Sequence, residues 1–254
     1  MNRSYVGAIV CLNLLCAGVF AGEALITKDR PVKIMPVGDS ITEGKYTQGG
    51  YRQPLLQLLK SGGYEVTFVG KEDNGEAANE TGFSKGMTNA NHEGYGSARI
   101  VMLLNGGTVE GHTALPIKTT MENNKPDVVL VMLGTNDVMG GVPAKTMQET
   151  MEKLLDGIFA ANKDAAVVLA SIPPITRPGL EAKNKAVDEY NRLVPKIVEK
   201  EQGKGRKIAF ADMHSVFPNG EGLTGDKVHP NAEGYKGMAA LWYSVLTATA
   251  NNPD

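Results

Sequence analysis

The chain has only two cysteines, Cys11 and Cys16, and both fall close to its start. Everything that follows therefore lacks a disulfide, a thiolate nucleophile and a cysteine-ligated metal, and must hold its fold by packing. Histidine is scarce too. Four in the whole chain are few for a two-metal phosphoesterase, whose ions draw on several His and Asp ligands. The one tryptophan, Trp242, lies within the last helical pattern and offers no exposed aromatic platform for a dedicated sugar-binding module. Lys and Arg (26) nearly balance Asp and Glu (28), and no basic block breaks the balance. That argues against nucleic acid or an anionic membrane surface as partner and leaves small molecules and neutral polymers. No internal repeat and no Gly-, Ser- or Pro-rich linker divides the chain. With 254 residues and 42% hydrophobic content it reads as one sizeable domain.

What is present begins with a targeting pattern. Arg3 precedes an almost continuously apolar run over residues 5–20, broken by Asn13, and small residues follow at Ala21, Gly22 and Ala24. This is the layout of a secretory signal peptide over residues 1–21, leaving a domain of residues 22–254 that is secreted and has no stable membrane association after cleavage. An uncleaved anchor is the alternative, although the apolar run is barely long enough to span a bilayer. Asn79-Glu80-Thr81 is a glycosylation sequon in a polar stretch.

Beyond the signal, short apolar runs alternate with helical patterns. Strands are expected at 32–37, 66–69, 128–133, 167–172 and 208–210; the unbroken run at 128–133 is that of a central parallel strand buried on both faces. Helices are expected at 51–59, 97–104, 115–123 and 143–160, at 181–200 with a kink at Pro195, and at 231–248. Residues 71–96, rich in Gly, Asn and Glu, read as a long surface excursion. Strand then helix, repeated about five times, predicts a three-layer α/β/α sandwich around a mostly parallel sheet of about five strands.

In such sheets ligand sites gather at the carboxyl ends of the strands. Four polar clusters fall where that rule places a site: Gly38-Asp39-Ser40, His92-Glu93-Gly94-Tyr95-Gly96, Gly134-Thr135-Asn136-Asp137 and Asp226-Lys227-Val228-His229. Each alone is a common turn sequence; all four in this order are far more specific. A serine hydroxyl is a poor nucleophile until a base takes its proton, imidazole suits that task, and a carboxylate on the far ring nitrogen fixes the tautomer. With two residues between them, Asp226 and His229 can project from one turn to the same side.

With those residues in view, the chain resembles the SGNH hydrolase superfamily, whose four name-giving positions correspond to Ser40, Gly94, Asn136 and His229. The stretch Ile34-Met35-Pro36-Val37-Gly38-Asp39-Ser40-Ile41-Thr42-Glu43-Gly44, followed by Gly49-Gly50-Tyr51-Arg52, is similar to the third family of carbohydrate esterases, which includes acetylxylan esterases. His92-Glu93-Gly94-Tyr95-Gly96 and Val228-His229-Pro230-Asn231 extend the likeness. The resemblance implies a flavodoxin-like fold and a serine esterase with Ser40 as nucleophile, His229 as base and Asp226 orienting it. It further implies an oxyanion hole from the N–H groups of Ser40 and Gly94 and the amide of Asn136, with no metal and no cofactor. The substrate it implies is a short acyl ester, an O-acetyl group on plant-type polysaccharide. Asp39, His92 and Arg52 are expected to line the substrate cleft, with support of the catalytic loop as the other reading of Asp39 and Arg52.

Several features compete with that assignment. Ser40 could be no more than a helix cap, and His214, two residues after Asp212, is a rival base. Gly82-Phe83-Ser84-Lys85-Gly86 matches the G-x-S-x-G elbow of α/β-hydrolases, but the polar stretch before it supplies no strand, so Ser84 reads as a loop residue. Asp137 reads as a turn residue. A lipolytic or thioester-cleaving relative, or a non-catalytic sugar-binding protein on the same fold, are the other functional readings.

Overall fold

A computed structural model describes residues 24–47, 49–73, 89 and 91–248. The expected signal segment with Cys11 and Cys16, the Asn79 sequon and Ser84 lie outside the described residues.

The strands are β1 (Val32–Gly38), β2 (Val66–Phe68), β3 (Glu93–Gly94), β4 (Gly107–Val109), β5 (His112–Ala114), β6 (Val128–Met132), β7 (Ala166–Ala170) and β8 (Ile208–Ala211). The α-helices are α1 (Ser40–Glu43), α2 (Arg52–Ser61), α3 (Ile100–Asn105), α4 (Ile117–Asn124), α5 (Thr135–Met139), α6 (Ala144–Ala161), α7 (Glu181–Asn191), α8 (Val194–Gly203) and α9 (Ala232–Thr247). The main sheet runs β2-β1-β6-β7-β8 and every pairing in it is parallel. Short β3 joins the same edge of β1 as β2 does: β2 pairs with Val32 to Ile34, and β3 with Val37 and Gly38. β6 and β7 are buried at every residue, as strands covered on both faces must be. Helices α2 and α9 pack on each other on one side, and α3, α4, α6, α7 and α8 form the contacts of the other layer. The result is the three-layer α/β/α sandwich read from the sequence.

Two local expectations need correction, and one hairpin is new. Residues 181–200 are not one kinked helix but two, α7 and α8. Leu193 N–H turns back to the Tyr190 carbonyl, and Pro195 sits in the first turn of α8, where a missing N–H costs nothing. The excursion at 71–96 is not surface throughout. His92, Glu93, Gly94 and Tyr95 are buried, and the segment is tied down by the reciprocal backbone bonds of Glu72 with His92. The hairpin β4–β5 was not foreseen. Its two turn residues, Glu110 and Gly111, both have positive φ (49° and 84°), the geometry of a type I′ turn, without the Asn-Gly signature that usually announces one.

The strand order places the site. Chain connections leave β1 and β6 in opposite directions across the sheet, so the crevice of a doubly wound sheet opens between the carboxyl ends of these two strands. The packing there is tight enough to specify glycine. A Cβ on Gly94 would lie 2.6 Å from the Glu43 nitrogen and 2.9 Å from the Thr42 carbonyl carbon, both main-chain atoms. Gly94→Ala should therefore lower the urea midpoint, at an overpacking cost of about 1–3 kcal/mol. Gly203→Ala, where an added Cβ meets nothing within 4 Å, should stay within about 0.5 kcal/mol of the parent. Equal midpoints for the two variants would contradict the packing described.

Candidate active site

Ser40 is the first residue of α1, a helix of a single turn. Asp39 caps it: its Oδ1 accepts from the Ile41 N–H at 2.9 Å, and the Asp39 carbonyl accepts from Glu43 N–H at 2.9 Å. At the other end Gly44 takes the left-handed conformation (φ 93°), and the N–H groups of Gly44 and Lys45 both return to the Ser40 carbonyl. Arg52, wholly buried, donates Nε to the Thr42 carbonyl at 3.1 Å and Nη2 to the Glu43 carbonyl at 3.0 Å. The turn is therefore closed at both ends by groups outside it. As the first helical residue, Ser40 has an N–H for which the helix supplies no partner.

His229 and Asp226 come from the loop before α9. Ser40 Oγ lies 2.8 Å from His229 Nε2, and His229 Nδ1 lies 2.6 Å from Asp226 Oδ2. The other carboxylate oxygen, Asp226 Oδ1, accepts from Thr224 Oγ1 (2.7 Å), Val228 N–H (2.9 Å) and His229 N–H (3.0 Å). Such a loop needs one left-handed residue, and Lys227 (φ 61°) supplies it. Asn231 anchors the exit, capping α9 through Oδ1 to the N–H groups of Glu233 and Gly234 and donating its own N–H to the Gly222 carbonyl.

The charges follow from these contacts. Burial pushes the Asp226 carboxyl up, but the hydrogen bonds from His229, Thr224 and Val228 outweigh it and hold the group well below the usual carboxylate range. Burial pulls His229 down; the Asp226 carboxylate opposes this, Lys45 and Arg177 reinforce it, and the net direction is below the ordinary imidazole value. That direction favours the neutral ring, and with Nδ1 on the Asp226 carboxylate it is Nε2 that faces Ser40. Burial raises Asp39 to about 7 and Asp137 to about 6, which thins the negative charge behind the serine.

The remaining sequence expectations fare unevenly. Asn136 lies in α5, half-buried, with Nδ2 donating to the Ala98 carbonyl at 3.0 Å; that bond uses one amide hydrogen and leaves the other. Gly94 is corrected: its N–H donates to His92 Nδ1 at 2.9 Å and is not free for an oxyanion. The Tyr95 N–H returns to the Gly38 carbonyl at 3.2 Å; the two after it, of Gly96 and Ser97, donate to nothing among the described residues, and Ser97 has positive φ (59°). Asp39, His92 and Arg52 do not line a cleft. All three are buried at 1% exposure or less behind the site, where Asp39 and Arg52 brace α1 and His92 braces β3. Tyr51 likewise packs inward, its hydroxyl 3.2 Å from Thr42 Oγ1 and its ring against Trp242. Asp137 Oδ2 accepts from Ile100 N–H at 3.1 Å, which caps α3. His214 stands away from Ser40, with Nε2 3.6 Å from Asp188.

The residue missed from the sequence is Tyr46. It is 53% exposed, holds positive φ (64°), and its ring meets that of His229 edge-on at 5.3 Å. Only its place two residues after the Gly44 cap could have hinted at this.

The sequence profile of the GDSL-like lipase/acylhydrolase family matches residues 37–236, the span from the end of β1 into α9. A multidomain esterase from Ruminococcus flavefaciens is 34% identical over 226 residues, 85% of this chain; the chain spans only 28% of the length of that relative. A family 3 carbohydrate esterase from Clostridium thermocellum is 28% identical, with a TM-score of 0.68 over 85% of this chain and 94% of its own. Another, from Talaromyces cellulolyticus, shares the fold at a TM-score of 0.68 with 24% identity, over 85% of this chain and 96% of its own. The match over residues 37–236, most of its length, makes this chain a member of the GDSL-like lipase/acylhydrolase family.

Proposed function

We propose that this chain is a secreted serine esterase that removes short acyl groups, acetyl foremost, from carbohydrate. The observation that carries the reading is the unbroken hydrogen-bonded series Ser40–His229–Asp226 at 2.8 and 2.6 Å. The carbohydrate is supported by the likeness to family 3 carbohydrate esterases, and secretion by the apolar N-terminal pattern.

The chemistry follows from the site. Ser40 Oγ adds to the ester carbonyl carbon as its proton passes to His229 Nε2, and Asp226 stabilises the imidazolium. The carbonyl oxygen becomes an oxyanion, cradled by the Ser40 N–H and the free hydrogen of the Asn136 amide. Gly94 joins the cradle only if its bond to His92 is given up. Collapse breaks the bond to the sugar oxygen, which takes the proton from His229 and leaves as an alcohol. Water then adds to the acyl-Ser40 carbonyl, giving its proton to His229; on collapse that proton returns to Ser40 Oγ, and the carboxylic acid departs.

Ser40→Ala should lower kcat on an aryl acetate by at least about 10⁴-fold, and Asp226→Asn by about 10⁴-fold, with the fold unchanged by circular dichroism. Full activity in Ser40→Ala would end the assignment. Asn136→Ala should cost about 10²–10³ in kcat with little change in KM, the signature of a donor used in the transition state. The substrate class is tested by acetate released from acetylated xylan against a series of longer aryl esters. A preference for long acyl chains would replace the carbohydrate reading with a lipolytic one.

The acid limb of the pH profile has a definite direction. Proton transfer needs neutral imidazole, so kcat/KM falls as pH drops through the His229 pKa. Burial holds that value below the free one, so the limb should lie below about pH 6.5. A limb above it would mean that the Asp226 charge outweighs desolvation.

A further inference from the structure

A cavity of about 400 Å³ lies away from Ser40, at the far edge of the sheet between β8 and the α7–α8 junction. Asp188, Arg192, Asp212 and His214 supply its polar wall, and Phe210 and Pro195 its apolar wall. Ser171, at the end of β7, fixes two of these groups: its Oγ donates to Asp212 Oδ1 and accepts the His214 N–H, each at 3.0 Å. His214 Nε2 is shut off from solvent and has no hydrogen-bond partner, the nearest group being Asp188 Oδ1 at 3.6 Å. The polar wall is thus held in place at Asp212 and His214, and Arg192 lining the same cavity is exposed with its side chain bonded to nothing described.

Charge selects among ligands. Two carboxylates repel an anion, and Arg192 repels a cation. Among the described residues, no three His, Cys, Asp or Glu side chains converge closely enough to hold a metal ion. A neutral ligand with many hydroxyls suits both the carboxylates and the guanidinium. Neighbouring hydroxyls donate to Asp188 and Asp212 and accept from the exposed Arg192, while the C–H face of a sugar ring covers Phe210 and Pro195. Because the sheet is parallel, Asp212 after β8 and Ser40 after β1 stand on the same edge. They are three strand spacings apart, roughly 14 Å. One saccharide chain can reach both.

We propose that this cavity is a second binding site for saccharide, which holds a polysaccharide while an acyl group on the same chain reaches Ser40. The proposal rests on the carbohydrate reading above and adds to it a binding site with no part in the chemistry. Arg192 is exposed and its side chain bonds to nothing described, so Arg192→Ala should leave the fold intact. The probe is an unacetylated xylo-oligosaccharide, titrated into the full chain by NMR or calorimetry, with Arg192→Ala and Asp188→Asn alongside. In either variant the affinity should fall about tenfold and KM on acetylated xylan should rise similarly, with kcat and aryl acetate turnover unchanged. Unchanged oligosaccharide binding and unchanged KM in both variants would overturn the second site and leave the esterase reading standing. A parent enzyme that cleaves aryl acetate but neither binds the oligosaccharide nor deacetylates xylan would overturn the carbohydrate reading, and this proposal with it. Response of the cavity to inorganic phosphate but not to the sugar would overturn the proposal in favour of an anion site.

Discussion

The site depends on holding one turn of helix that cannot hold itself. A four-residue helix pays the full cost of nucleation with almost no propagation, so α1 would not persist on its own. It persists because three buried groups close around it. Asp39 satisfies an N–H of the first turn, Arg52 satisfies the carbonyls of Thr42 and Glu43, and Gly94 lets β3 lie directly on the backbone of those two residues. Gly38 completes the enclosure from below, where a Cβ would stand 2.1 Å from Thr42 Oγ1 and 2.9 Å from the Met132 carbonyl. Burying a guanidinium is costly, and burial does lower Arg52 to about 10, but a value that high leaves it charged at neutral pH. The cation is held where two orphaned carbonyls point at it. The result is a serine whose hydroxyl position is set by the sheet and not by a loop.

The second half of the site is built on a different device. Asp226 and His229 belong to an irregular loop, where precision has to come from hydrogen bonds because packing is thin. One carboxylate oxygen gathers three donors from the loop itself, and this leaves the other to face the imidazole. Thr224 and His229 close the loop through a 2.7 Å backbone bond, and Arg177 ties the Asp226 carbonyl from outside. The same donors that fix the geometry depress the carboxyl, so position and charge state have one cause.

This division explains what could be read from the sequence and what could not. The apolar run that became β6 and the Gly-Asp-Ser sequence after β1 are local signals, and locally determined features were legible: strand order of appearance and the Asp226–His229 spacing. Side-chain direction was not. Arg52 and His92 are polar residues close in sequence to the Gly-Asp-Ser and Gly94 clusters, and polarity alone reads as exposure. Only the three-dimensional closure of α1 and β3 shows that both point inward. Gly94 shows the same limit. A glycine next to a site fits equally a donor to the substrate and a place where two backbones touch. The structure favours the second, since the N–H is already given to His92. The α7–α8 break escaped because a proline within a helical pattern signals a kink and a first turn alike, and the stagger of Leu193 back to Tyr190 is not encoded in hydrophobic periodicity.

The parallel sheet ties the two halves together. Every strand ends on the same edge, so whatever follows β1, β6, β7 and β8 is displayed in a row: Asp39-Ser40, the Gly134–Asn136 turn, Ser171, and Asp212 with His214. The first two members border the Ser40 hydroxyl and its His229 partner. The last two form a polar wall that no step of ester cleavage requires. Ser171 Oγ bonds Asp212 and the backbone of His214, not an imidazole nitrogen, so this group lacks the base that would make it a second nucleophile. Residues of the same types as at Ser40 thus sit one fold feature away with different wiring. The two groups differ not in having Ser, His and Asp near one another, but in aim: at Ser40 a histidine ring nitrogen faces a hydroxyl whose backbone is held from both ends of its turn.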